Sequence, residues 1–122
     1  MPHDTQAADG IRILLSGRHD VVERKMMGGI VFMVRGNMCV TASGRGGILV
    51  RVGPQAQARA LKEPHVKPVV MAGRTVTGFV RVMPEGYRTA AALRKWVKRG
   101  LDFAGGLPPK AAGRKPAIKS KR

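Results

Sequence analysis

The side chains in this sequence that could do chemistry are few: three histidines, one cysteine and 7 acids among 122 residues. Hydrolysis or acid–base catalysis needs a nucleophile, a base and a group that orients it, or a pair of facing carboxylates. No such set is spaced along the chain. His3 sits near the start, His19 in the polar stretch "SGRHD" and His65 between prolines in "EPHVKP", positions that suit solvated loop histidines. Cys39 falls in an alternating apolar run and reads as a small core filler. A lone thiol forms no internal disulfide and supplies no cysteine-based zinc site. The glycine-rich "SGRGG" at 43–47 offers backbone N–H groups to a phosphate, but the Walker pattern needs a lysine and a hydroxyl residue opening a helix, and a strand-like run follows here. It reads as a turn. Gly28 and Gly29 also precede a strand and suit a bulge or a close backbone approach. These readings lead to the expectation of a protein without enzymatic activity, cofactor, metal or small-molecule substrate.

What the sequence has in excess is positive charge. Lysine and arginine total 23, giving a net charge of +16, which favours phosphate polymers or acidic surfaces as partners and predicts salt-dependent binding. The charge falls in two places. In "TAAALRKWVKRGLDFAGG" the residues Leu93, Trp96, Val97, Leu101 and Ala104 form an apolar helical stripe, with Arg94, Lys95, Lys98 and Arg99 on the reverse face. Beyond "GLPPK" the chain carries Lys110, Arg114, Lys115, Lys119, Lys121 and Arg122 with no balancing acid and almost nothing to bury. These ten cations are the candidate nucleic-acid-binding residues. Without residues 108–122 the chain still has 17 bases against 7 acids, about +10. Arg51 and Arg81 alternate with apolar neighbours and so place solvated positive charge on one open face of a sheet.

These side chains must be positioned by short, mixed elements. Residues 5–16 carry Ala7, Ala8, Ile11, Leu14 and Leu15 at helical spacing, with Asp4 or Thr5 as the cap. "VVERKM" reads as a strand, and "GIVFMV" and "MCVTAS" as a hairpin reversing at "RGN", where Gly36 takes the positive φ of a tight turn. Strict alternation puts Ile30, Phe32 and Val34 on one face and Val31 and Met33 on the other, and in the next strand sets Met38, Val40 and Ala42 against Cys39 and Thr41. Both faces are apolar, which calls for helices or a partner chain over part of the second face. Methionines 26, 27, 33 and 38 are assigned to core packing. "ILVRV" is a further strand, "GPQAQARALK" a short helix with Pro54 at its first position, "VVM" a brief strand, "AGRTVTG" a turn and "FVRVM" the returning strand. The links are too short for crossover helices, so the pairing is antiparallel. The expected fold is α+β in two layers, an antiparallel sheet with flanking helices over residues 1–107, followed by a disordered basic tail, 108–122. No secretory signal opens the sequence and no run reaches the roughly 18 apolar residues of a membrane span, so a cytoplasmic location without membrane contact is expected.

The order "KMMGGIVFMVRGNMCV", "LVRVGPQ", "MAGR", "GFVRV" and "ALRKWVKRGLDFAGGLPPK" resembles the N-terminal domain of the TfoX/Sxy family, bacterial proteins linked to regulation of natural competence. The resemblance covers roughly residues 5–110. Met27 stands where the family commonly has phenylalanine and Phe79 where tryptophan is common. The likeness implies a two-layer α+β domain and a non-enzymatic role beside a transcription activator at competence promoters. Full-length members carry a second, helical domain where this sequence has its basic tail. Two functions follow as expectations. One is a regulatory domain that engages DNA or a DNA-bound transcription regulator; the other is a protein-interaction or dimerisation module, whose sheet and methionine-rich hairpin hold a protein partner or a second copy.

Overall fold

The computed structural model describes residues 4–26 and 28–109. Met27 and the cations from Lys110 to Arg122 lie outside the described residues. The elements are α1 (Thr5–Leu14), β1 (Val21–Met26), β2 (Gly29–Val34), β3 (Asn37–Ala42), β4 (Ile48–Arg51), α2 (Pro54–Ala60), β5 (Val66–Met71), β6 (Arg74–Val82) and α3 (Ala90–Ala104). All six strands join one antiparallel sheet in the order β1-β2-β3-β4-β6-β5, and the domain is α+β, as the pattern predicted. No helix among the described residues is long and apolar enough to cross a membrane.

Cross-strand register explains which side chains make the core, because residues directly opposite each other share a face. The row Glu23–Phe32–Val40–Val50–Val80–Pro68 runs across all six strands, and so does Lys25–Ile30–Ala42–Ile48–Val82–Val66. Their central members meet Ile11, Leu93, Trp96, Val97 and Ala60, so all three helices cover the same face. Phe32, Ile48, Val50 and Val80 have no exposure, and each such side chain stabilises the fold by about 1.5–3 kcal/mol.

The helices are seated by local chemistry. Asp4 caps α1 by accepting from the Ala7 N–H at 3.0 Å, and its other oxygen accepts from the Tyr87 hydroxyl at 2.9 Å. Arg12 holds Glu23 through two bonds of 2.6 and 2.9 Å, fastening α1 to β1 and drawing the Glu23 carboxyl below its ordinary range. Gln57 of α2 answers an irregularity in β6. Between Pro68 and Val70 the β5–β6 register shifts, leaving β6 backbone unpaired around Gly78; the Gln57 side chain accepts from Gly78 N–H at 2.9 Å and donates to the Val76 carbonyl at 3.2 Å.

The hairpin departs from strict alternation. Phe32 faces Val40 and Met33 faces Met38, so a bulge inserts Cys39 between two paired positions. Cys39 therefore joins Val40 and Ala42 in the core, and Met38 turns to the opposite face, where simple counting had not placed it. The two-residue turn has both Arg35 and Gly36 at positive φ, 52° and 83°. At the other end of β2 a close approach requires glycine: a Cβ on Gly29 would lie 2.3 Å from the Ala42 carbonyl oxygen.

Candidate functional site

The outer face of α3 carries the cations the sequence singled out, but not as one free cluster. Arg94 and Lys95 are exposed. Lys98 reaches Asp102 one turn on at 3.0 Å. Arg99 turns away, lying 4.2 Å over the Trp96 ring and pairing with Glu63 at 2.8 Å. Trp96 itself donates to the Gly86 carbonyl at 3.2 Å, so Arg99 belongs to a packed aromatic corner. Among the described residues, five of the 7 acids form ion pairs, and they engage only Arg12, Arg18, Lys98 and Arg99. The remaining described cations have no ion-pair partner of that kind.

The helix-free face of the sheet is built differently. The register row between the two core rows is Arg24–Val31–Thr41–Leu49–Arg81–Lys67, apolar or small in the middle and cationic at both ends. Val31 and Leu49 are 2% and 5% exposed although no helix among the described residues covers them, and neither belongs to the main core. Their shelter comes from curvature. Met26 of edge strand β1 and Val70 and Met71 of edge strand β5 line the same cavity of about 250 Å3, so the two outer edges of the sheet curl toward each other over this face. Met38 contributes to its wall, while Met26, Val70 and Met71 remain 42%, 47% and 41% exposed. The assignment of Met26, Met33 and Met38 to the core is thus corrected: none belongs to the core cluster, because β1 carries Met26 to the sheet rim and the bulge turns Met38 outward.

Arginine frames this concavity. Arg81 donates to the Gly46 carbonyl at 2.6 Å and to the Ser43 hydroxyl at 2.9 Å, which closes the 43–47 turn. That turn also bonds to itself, Gly46 N–H to the Ser43 carbonyl, so it is scaffold rather than a phosphate cradle. Burial and then the nearby Arg45 lower the Arg81 pKa. Arg24 has a buried Nε with no hydrogen-bond partner. Arg51 sits 5.5 Å from both the Phe79 and Phe103 rings and donates to the Met38 carbonyl. It is half-buried and stacked, where the sequence had suggested a solvated charge. None of the acids lines the cavity.

The residues that suggested chemistry stay apart. Cys39 is wholly buried, and burial pushes its thiol up to about 12. His19 and His65 are exposed, and His3 lies outside the described residues. No group of three or more histidine, cysteine or acidic side chains that could hold a metal is found among the described residues. Sequence reasoning missed Arg24, Arg45, Val70 and Met71 as partners in one surface. The available signal was the apolar run "VVM" beside a proline, which fits an edge strand and not a central one.

A six-stranded antiparallel sheet, packed on one face by three helices and concave on the other, defines a small two-layer α+β domain with a cationic exterior. Residues 13–104 match the model of the TfoX N-terminal domain, and the chain belongs to that family. No curated protein and no solved structure matches the chain.

Proposed function

We propose that this chain is a non-enzymatic regulatory domain acting in transcription control, of the kind linked to competence, and that electrostatic contact with phosphates holds it at DNA or at a DNA-bound regulator. The observation that carries this reading is the excess of cations left after the ion pairs are formed, with Arg94 and Lys95 displayed on the outer face of α3. Phosphate contacts position a protein without reading sequence, so binding is expected to be salt-steep and nearly indifferent to base composition. Fluorescence anisotropy on labelled duplexes at about 50 and 200 mM salt tests this, with an expected affinity loss of at least about tenfold between them. Arg94→Glu combined with Lys95→Glu weakens binding further while leaving the melting temperature unchanged. Absence of binding at the lower salt removes the reading.

A further inference from the structure

We propose that the concave face of the sheet is a docking groove for an acidic amphipathic segment of a partner protein, whose apolar side chains enter between Met26 and Met71 while its carboxylates meet the flanking arginines. This goes beyond the phosphate reading, since it concerns the opposite layer of the domain. Three observations converge on the occupant. The floor is apolar, formed by Val31 and Leu49, and its rim carries thioethers that adapt to varied side chains. A cavity of about 250 Å3 has room for a few side chains of a larger partner and is smaller than the usual small-molecule site. The charge at the groove has one sign: Arg45 and Arg81 line it, Arg24 and Lys67 end its central row, and no acid is among its lining residues.

The same charges argue against other occupants. A second copy docked face to face would set these arginines against their own equivalents. Single-stranded nucleic acid calls for exposed rings on which bases stack, and no aromatic ring is among the residues that line this cavity. A carboxylate satisfies what the groove lacks, because it offsets the like charges of Arg45 and Arg81, which line the same wall with no acid beside them.

The test uses the intact chain and fluorescein-labelled twelve-residue probe peptides in which Leu and Phe alternate with Glu, a matched peptide with Lys in place of Glu, an all-Glu peptide and a single-stranded oligonucleotide. The exposed Met71→Asp and Arg45→Glu are the variants, and Arg94→Glu on α3 is the control. The acidic amphipathic probe is expected to bind, to weaken about tenfold or more in both groove variants, and to be unaffected by Arg94→Glu. Unchanged melting curves show that the variants fold. The proposal is overturned by equal binding of the Lys or all-Glu peptide, by oligonucleotide binding that the groove variants abolish, by a dimer that Met71→Asp dissociates, or by no binding of the acidic probe. Duplex DNA binding retained in Met71→Asp separates failure here from failure of the phosphate reading.

Discussion

At the scale of single residues, environment decides which groups can react. Cys39 is the one thiol, and the bulge that turns it inward also removes it from water. Burial favours its neutral form, so this contribution to stability is complete below the unfolded value of 9.0 and is lost as pH rises toward about 12. A disulfide reagent at pH 8 is expected to leave the native protein unlabelled and to label it fully in guanidinium chloride; rapid stoichiometric labelling of the native state contradicts this placement. The sequence showed that Cys39 fills space, since its neighbours alternate as a strand. It could not show why the thiol shares a face with Val40, because a bulge depends on the register of the partner strand. Arg99 teaches the same lesson from the surface. Its helical position put it beside Lys95 and Lys98, yet an aromatic ring one turn away and Glu63 from another element draw it out of that cluster.

At the scale of elements, the helices were legible because their stripes are long and their caps local: Asp4 and Thr89 each accept from a backbone N–H three residues on. Strands β5 and β6 were underestimated. Pro68 and Gly78 read as interruptions, but an edge strand tolerates the missing N–H of proline, and Gln57 repairs the irregular β6 backbone from a different element. The close approach inferred for Gly29 has a direct energetic consequence. Alanine there would force backbone apart at Ala42, and Gly29→Ala is expected to destabilise the domain by about 1–3 kcal/mol. Thermal unfolding checks it, and an unchanged midpoint shows that the strands can separate without loss.

At the scale of the whole molecule, the two layers divide the charge. The helical layer and its flanks hold the ion-paired acids, and the concave sheet face holds arginines around buried apolar residues. Net charge was plain from composition, and α3 was plain as a carrier of it. The concavity was not, because it arises only when both edges of a six-stranded sheet curl together. We propose that any DNA contact falls on the helical exterior, which leaves the sheet face for another partner. Amide NMR during titration with a short duplex at low salt tests this most directly. Resonances of Arg94, Lys95 and Lys98 are expected to shift while those of Val31, Leu49 and Arg81 stay fixed; shifts concentrated on the sheet face, or none anywhere, contradict the account.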